Sequence, residues 1–152
     1  MERGRALAAY VSAWAQETEE GIRQTLSGCW TETSTYINPI TDVVQGVDGL
    51  TSLILDLPVM FPGARFGAAA EPDVHHGAAC LPWRLESTAP IRTLGRDFGR
   101  TLEGVDFVEF DDSGRISRIT AFFASGTAPA PDPDPERAAD RSANGRQQPA
   151  LR

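Results

Sequence analysis

The carboxyl group of Asp106 is the strongest candidate for a chemical role in this sequence. Residues 104–110 are typical of a β-strand, and successive side chains of a strand point to opposite faces. Asp106 therefore shares a face with Val108 and Phe110, two large apolar residues. A carboxylate in apolar surroundings is costly unless it is paired, hydrogen-bonded or protonated. Two interpretations are open: a hydrogen-bonded structural aspartate, or a functional carboxyl that faces a pocket whose apolar walls raise its pKa.

Two adjacent histidines, His75 and His76, are a second candidate for chemistry. Neighbouring strand residues point to opposite faces, so at most one of the two can serve a given site. Counting by twos from Trp83 places His75 on the pocket side as an acid/base, whereas a β-bulge would select His76 instead. The alternative is a surface histidine at a strand end. No third ligand lies at a recognisable spacing, so the sequence predicts no metal site.

The charge balance excludes several classes of function. The chain has 152 residues, which favours one folded domain, and it carries 14 basic and 21 acidic residues for a net charge of −7. Every basic residue is arginine, so a Schiff-base lysine is excluded. The acidic balance argues against a nucleic-acid partner, which needs a basic surface. Cys29 and Cys80 are too few for a disulfide scaffold.

The N-terminal segment predicts a helix rather than a signal peptide. Leu7, Tyr10, Val11 and Trp14 follow the spacing of one apolar stripe on a helix. A signal peptide is apolar throughout and has no such face. No apolar run approaches the roughly 20 residues of a membrane span. We therefore expect a cytoplasmic protein with no membrane partner.

The order of the predicted elements is helices first and strands afterwards. Helices are expected from the N-terminus to about Thr18, from Ile22 to Cys29 or Trp30, and from Gly46 to Pro58. Strands are expected at about 33–37, 64–70, 74–86, 94–110 and 115–124, with a tight turn at 111–114. This order predicts an α+β domain over residues 1–126 with a largely antiparallel sheet. Residues 127–152, where prolines alternate with small and acidic residues, predict a disordered tail.

Large apolar residues share one face of the predicted sheet, and their pattern is compatible with a solid core or with a cavity. Leu81, Trp83 and Leu85 share a face of one strand, and Ile119 and Phe123 share a face of the last strand. Such a face can be packed solid against helices, or it can curve around an apolar cavity.

The chain resembles the NTF2-like superfamily, in particular its ketosteroid-isomerase-like and SnoaL-like polyketide-cyclase domains. The resemblance covers residues 6–124 and rests on the order and spacing of several short motifs. These are Ala9-Tyr10-Val11, Tyr36-Ile37-Asn38-Pro39, the helix at 46–57, the strands at 81–86 and 105–111, and Ser113-Gly114-Arg115-Ile116. The resemblance implies a cone-shaped α+β fold, in which a curved sheet wrapped by helices encloses a deep apolar pocket. It also implies a homodimer formed through the outer face of the sheet.

The resemblance to ketosteroid isomerases is partial in its site residues. Tyr10 and Asp106 match the tyrosine and the protonated aspartic acid that form the oxyanion hole of those enzymes, a site that is a standard worked example of pKa tuning. Asn38 stands where their general base is an aspartate, and an amide cannot take a proton at neutral pH. Steroid isomerisation itself is therefore not expected. In SnoaL-like cyclases the carboxyl matched by Asp106 is the acid/base, and in dehydratases of the superfamily a histidine such as His75 has that role.

The residues and this resemblance together predict a small, cofactor-free enzyme. We expect its substrate to be an apolar, oxygen-bearing molecule, polyketide- or terpenoid-like, and its reaction to be a cyclisation, an isomerisation or a dehydration. The expected catalytic residues are Asp106, Tyr10, Asn38 and His75. The alternative is a ligand-binding or accessory protein that has the cone without the chemistry. The residues expected to bind the substrate are Trp14, Trp30, Tyr36, Ile54, Leu81, Trp83, Leu85, Val108, Ile119 and Phe123.

Overall fold

The computed structural model describes residues 2–124, which form three helices and a curled mixed sheet. The predicted tail at 127–152 lies outside the described residues. The helices are α1 (Arg3–Ala13), α2 (Glu19–Leu26) and α3 (Gly46–Met60). The strands are β1 (Trp30–Ile37), β2 (Val44–Gln45), β3 (Arg65–Ala68), β4 (Asp73–His75), β5 (Ala78–Glu86), β6 (Arg92–Thr93), β7 (Arg96–Asp97), β8 (Thr101–Phe110) and β9 (Ile116–Phe123). Within residues 2–124, no helix combines the length and apolar character that a membrane span needs.

The first helix is shorter than the sequence pattern predicted. It begins at the Glu2 side chain, which accepts hydrogen bonds from the N–H groups of Gly4 and Arg5, and it ends at Ala13 rather than near Thr18. Thr18 instead caps α2, because its hydroxyl accepts the N–H of Gly21 at 3.0 Å. The two helices are therefore separated by a turn that begins at Trp14.

The third helix passes through the proline that was expected to end it. Pro58 lies inside α3, which continues to Met60. A proline costs a helix one backbone hydrogen bond. Here the last turn is closed by a 2.9 Å bond from the N–H of Phe61 to the carbonyl of Leu57. The exit of α3 therefore extends far enough for Met60 and Phe61 to reach the site described below.

The main sheet confirms the expected antiparallel pairing with one exception. Its strands lie in the order β2-β1-β9-β8-β5-β3, and β4 pairs with the end of β5. The pair β1–β9 is parallel, and the other pairs are antiparallel. The two long central strands, β5 and β8, pair over nine residues and place Asp106 opposite Leu81.

Two of the predicted long strands are interrupted. The strand expected at 74–86 is divided by His76 and Gly77 into β4 and β5, and His76 has a φ of 52°. In the strand expected at 94–110, Leu94 and Gly95, both at positive φ, form the turn between β6 and β7 instead, and residues 98–100 separate β7 from β8. A non-glycine residue at positive φ is uncommon, so the sequence pattern gave no strong signal for either turn.

The inner face of the curled sheet packs against the helices in two regions. The larger cluster surrounds Tyr10 of α1, Leu50 of α3 and Val108 of β8, all fully buried. The smaller cluster joins Leu57 at the end of α3 to Trp83 of β5 and other apolar residues. The site lies where these two clusters meet.

Candidate active site

A buried carboxyl and a buried phenol form the polar centre of the domain. Asp106 in the middle of β8 and Tyr10 on α1 are both 0% exposed. The Tyr10 hydroxyl donates a hydrogen bond to Oδ2 of Asp106 at 3.1 Å. Among residues 2–124, the other carboxyl oxygen, Oδ1, makes no hydrogen bond of standard geometry, and the indole of Trp83 is the second donor that interacts with the carboxyl. Tyr10 and Asp106, which the sequence singled out and which lie 96 residues apart in the chain, therefore form a buried polar pair.

Burial sets the protonation of this pair. Removal from water raises the pKa of Asp106 to about 7, and the hydroxyl of Tyr10 and the indole of Trp83 lower it by smaller amounts. Burial raises the pKa of Tyr10 well above its usual value, and the charge of Asp106 raises it further. Tyr10 is therefore a neutral donor, whereas Asp106 exchanges its proton near neutral pH. A carboxyl with this pKa can act as an acid or as a base without a second titrating group.

A second phenol, Tyr36 of β1, connects this pair to an open space. Its pKa is raised well above the usual value by burial and then by the charge of Asp106, and its interaction with the Tyr10 hydroxyl lowers it. Tyr36 also lines a cavity of about 60 Å³ between α3 and the sheet. The cavity wall is otherwise largely apolar and consists of Trp14, Tyr36, Asn38, Ile40, Thr41, Leu53, Leu57, Met60, Phe61, Phe66, Trp83, Leu85, Leu102 and Phe123.

Asp106 and Tyr10 lie behind the wall of this cavity. Three aromatic rings stand between them and the open space: Phe66 lies 4.9 Å from Trp14 and 5.6 Å from Trp83, measured between ring centroids. The ring of Tyr10 contacts Trp14 and Phe66 from the other side, with distances between ring centroids of 6.3 and 6.4 Å. We call Trp14, Phe66 and Trp83 the aromatic partition. A ligand in the cavity reaches Oδ1 of Asp106 only if the partition shifts.

A glycine fixes the position of Trp83 in the partition. Gly104 of β8 pairs with Trp83 of β5 and lies two residues before Asp106. A Cβ atom at residue 104 would collide with the indole ring of Trp83 and with the carbonyl oxygen of Phe122. Glycine thus allows the indole to lie directly against the backbone of β8. This packing holds the indole close to the carboxyl of Asp106.

The residues expected to bind substrate divide into two groups. Trp14, Tyr36, Trp83, Leu85 and Phe123 line the cavity. The remaining residues, Trp30, Ile54, Leu81, Val108 and Ile119, are buried around Tyr10 and Asp106 instead of lining the cavity. Alternation along the strands placed the sheet residues on the inner face correctly, but helices fill that half of the face completely. These five residues therefore do not line this cavity, and their contact with a substrate stays a prediction.

Trp30 illustrates the structural role of this second group. Its indole N–H donates to the carbonyl oxygen of Gly46 at 2.9 Å, and its ring stacks on Tyr10 with centroids 6.4 Å apart. Trp30 therefore packs against the ring of Tyr10 from the side away from the cavity.

Asn38 lines the cavity, but its side chain also holds a turn. The Oδ1 atom accepts the N–H groups of Ile40 and Thr41 at 2.9 and 3.0 Å, and Nδ2 donates to the Thr41 hydroxyl at 2.7 Å. This is the arrangement of an Asx turn. The amide oxygen is thus already occupied, and Asn38 shapes the cavity wall at the end of β1.

The structure does not bring His75 to the site, which corrects its expected role as an acid/base. His75 and His76 are both exposed, beside the turn between β4 and β5, and their Nδ1 atoms lie 3.2 Å apart. The turn at His76 ends β4 at the outer end of the sheet, so the count by twos from Trp83 does not carry through to the cavity. Neither histidine belongs to the cavity wall.

Several cavity residues were absent from the sequence prediction. Phe66, which is central to the partition, was the only large apolar residue of its predicted strand and pairs with Leu85. A single large apolar residue in a strand of small ones could have been predicted to pack inward. No such indication exists in the sequence for Met60 and Phe61, because Pro58 was expected to end the helix before them. Among residues 2–124, no group of three His, Cys, Asp or Glu side chains could hold a metal ion.

Comparison with known proteins supports the fold. No protein-family model and no curated protein matches the sequence. A candidate isomerase of the SnoaL-like family from Agrobacterium tumefaciens is 29% identical, with a TM-score of 0.64 over 79% of this chain and 95% of that one. An NTF2-like protein of unknown function from Exiguobacterium is 14% identical, with a TM-score of 0.59 over 80% and 99%. A candidate SnoaL-like polyketide cyclase from Jannaschia is 15% identical, with a TM-score of 0.57 over 78% and 85%.

Proposed function

We propose that this chain, which has the NTF2-like fold of the SnoaL-like and ketosteroid-isomerase-like proteins, is a small enzyme that moves protons on an apolar, carbonyl-bearing metabolite. The observation that carries the proposal is the fully buried Asp106, whose Oδ2 accepts the hydrogen bond of Tyr10 and whose pKa is raised to about 7 by burial. A carboxyl that serves structure alone would not be expected here, because burying a group that ionises near neutral pH is destabilising.

The proposed reaction begins with proton abstraction next to a carbonyl. Once the aromatic partition has shifted to admit the substrate, the ionised Asp106 takes the proton at Oδ1, and the Tyr10 hydroxyl stabilises the carboxylate through Oδ2 while it carries charge. Tyr36, the phenol that reaches the cavity, donates to the oxygen on which negative charge develops. Asp106 then returns the proton to a different atom. Isomerisation, cyclisation and dehydration all begin with such a step, and the substrate class proposed is polyketide- or terpenoid-like. This step uses only side chains of the chain itself and requires no cofactor.

A ketone probe tests the proposal without knowledge of the natural substrate. The probe is 1-indanone in D₂O, and the rate at which its α-protons exchange for deuterium is followed by NMR. The native protein is expected to accelerate exchange, with a rate that rises with pH through about 7 as Asp106 ionises. Asp106→Asn is expected to abolish the acceleration, and Tyr36→Phe to reduce it.

The matched control is Asp112→Asn, which removes an exposed carboxylate in the β8–β9 turn. Equal exchange rates for the native protein and for Asp106→Asn would refute the proposed reaction. If 1-indanone bound tightly without any exchange, the chain would instead be a binding protein on the same fold.

We also propose that the chain is a homodimer that associates through the outer face of the main sheet, and that it acts in the cytoplasm. Phe107 and Phe122 are 44% and 58% exposed on that face, and Val105 pairs with Phe122 between them. The ion pairs Arg84–Glu103 and Arg118–Glu109 come from the same strands. An apolar centre with a charged rim is typical of an interface between proteins.

A further inference from the structure

Phe66 is the central ring of the aromatic partition. Its centroid lies 4.9 Å from that of Trp14 and 5.6 Å from that of Trp83. Behind the partition, the ring of Tyr10 lies 6.4 Å from Phe66, and on the other side Phe66 lines the cavity. The ring of Phe66 therefore separates the cavity from the buried pair of Tyr10 and Asp106.

The two tryptophans of the partition are held on the side of the buried pair. The indole of Trp83 interacts with the carboxyl of Asp106, and the indole of Trp14 interacts with the hydroxyl of Tyr10. Trp83 is also only 3% exposed, and its indole lies directly against the backbone of β8. Moving either indole would therefore break a polar interaction as well as apolar contacts.

Phe66 has neither restraint. A phenyl ring has no polar atom, so apolar contacts alone hold it in place. Phe66 belongs to β3, a four-residue strand that is the last in the order of the main sheet and pairs with β5. The residue is half-buried, whereas Trp83 is buried. Because short edge strands with few buried contacts open more readily than central strands, Phe66 is the member of the partition that is easiest to displace.

We propose that Phe66 is the gate between the cavity and Asp106: its ring closes the passage while the cavity is empty and is displaced when a substrate reaches the carboxyl, and Trp14 and Trp83 stay in place. The inference rests on the proposed function, which requires the partition to shift, and it identifies the residue that shifts. Phe66 is a positioning residue in this scheme, because it acts on the reaction by keeping water from Asp106 until the substrate arrives.

The closed gate has a measurable effect on Asp106 even without substrate. Burial is the main cause that raises the pKa of this carboxyl to about 7. The titratable groups coupled to it are Tyr10 on α1 and Tyr36 on β1, which are neutral at that pH because their own pKa values are raised. The residues that β5 and β9 pair with Asp106 are Leu81 and Ala121, and the buried residues of α3 do not titrate. Opening the gate should therefore change the pKa of Asp106 through hydration and not through a charged neighbour.

A pH titration of the full chain labelled with ¹³C-aspartate tests whether Phe66 closes the passage. Phe66→Ala is expected to let water reach Asp106 and to lower its pKa by about one pH unit or more. Phe123→Ala is the matched control, because it also removes a phenyl ring from the cavity wall and from contact with Trp83, on the side of Phe98. It should leave the pKa of Asp106 within about 0.3 pH units of the native value.

Phe66→Leu is the second variant, because it keeps an apolar side chain and is the milder change to the core. It should lower the pKa of Asp106 by less than Phe66→Ala does, and retained dispersion of the backbone NMR spectrum checks that each variant is folded. An unchanged pKa in the folded Phe66 variants overturns the inference. So does a decrease of the same size in Phe123→Ala.

The displacement of the ring is measured by solvent paramagnetic relaxation. The native chain is labelled with ¹³C-phenylalanine, the ring signals of Phe66 and Phe123 are assigned from single Phe→Leu variants, and a soluble nitroxide relaxes the exposed rings. Saturation with 1-indanone is expected to increase the relaxation rate of the Phe66 ring. The ring of Phe123, which lines the same cavity, should not become more exposed. A Phe66 relaxation rate that is unchanged or lower at saturation overturns the gate, as does the absence of 1-indanone binding at millimolar concentration.

These results are separable from the test of the proposed function. A lower pKa of Asp106 in Phe66→Ala and a more exposed Phe66 ring with ligand, both without α-proton exchange, would support the gate and refute the enzyme. Exchange that depends on Asp106, together with a pKa that does not respond to Phe66→Ala, would support the enzyme and refute the gate. If both hold, the midpoint of the exchange rate against pH should fall in Phe66→Ala together with the pKa of Asp106.

Discussion

Replacing Asp106 with asparagine is expected to remove the loss of stability that the domain suffers as the pH rises through 7. The amide keeps an acceptor for the Tyr10 hydroxyl and stays uncharged at every pH, so it avoids the cost of burying a carboxylate. Folding raises the pKa of Asp106 from 3.8 to about 7. The native state therefore binds the proton more tightly than the unfolded chain does. The stability that the protonated group contributes is fully present below pH 3.8 and is lost as the pH rises through 7.

The size of this effect follows from the shift. About three pKa units correspond to roughly 4 kcal/mol in total, of which about 3 kcal/mol is lost between pH 5 and pH 8.5. Unfolding by urea at these two pH values measures it. The native chain is expected to lose about 3 kcal/mol more than Asp106→Asn does, so that the variant is the more stable protein at pH 8.5.

Asp112→Asn is the control, because it removes an exposed carboxylate from the neighbouring turn. It should follow the native pH dependence. If Asp106→Asn followed that dependence too, the carboxyl would be ionised and well solvated in the folded chain, and the argument from burial would be wrong.

Three further substitutions, one of them with a matched control, test separate parts of the structure. Tyr10→Phe removes the hydrogen bond that lowers the pKa of Asp106 and should therefore raise that pKa above about 7, as followed by the ¹³C carboxyl shift; a lower pKa would contradict the assignment. Gly104→Ala should destabilise the domain by about 1–3 kcal/mol and change tryptophan fluorescence, because a Cβ collides with the indole packed on it. Gly67→Ala, with open space around its Cβ, should be nearly neutral for packing, and equal losses would refute the packing argument. Phe122→Glu on the outer face should shift a dimer to monomers in sedimentation equilibrium, and a native chain that is monomeric throughout would refute the proposed assembly.

The polar pair could be predicted because two simple periodicities point to it. Asp106 lies on an apolar face by strand alternation, and Tyr10 lies on the buried stripe of the first helix. The resemblance to the NTF2-like superfamily joined the two residues. Their hydrogen bond in the structure confirms that they lie together. The order of the three helices and the longer strands was predictable for the same reason, whereas the two-residue strands β2, β6 and β7 are too short to show an apolar period.

The cavity wall could not be predicted in the same way, because alternation gives the face of a residue and not what covers it. Strand alternation places both Val108 and Leu85 on the inner face of the sheet. In the structure Val108 is packed among the helices, whereas Leu85 lines the cavity. Which residues of this face line the cavity depends on how far α3 extends. The helix continues past Pro58 to Met60, because the proline removes one backbone hydrogen bond without ending the helix. His75 fails for a related reason: a turn with one residue at positive φ ends the strand before it reaches the site.

The cost of the buried carboxyl is itself an argument for function. A domain of this size is stable by only about 5–15 kcal/mol, so roughly 3 kcal/mol lost at alkaline pH is a large share. An amide of the same shape at residue 106 would satisfy Tyr10 without that loss. Core positions that serve stability alone have apolar or fully hydrogen-bonded side chains. A carboxyl that is buried at this cost is instead preorganised for a group that arrives from outside, and the cavity next to the partition is the route by which an apolar molecule can bring one.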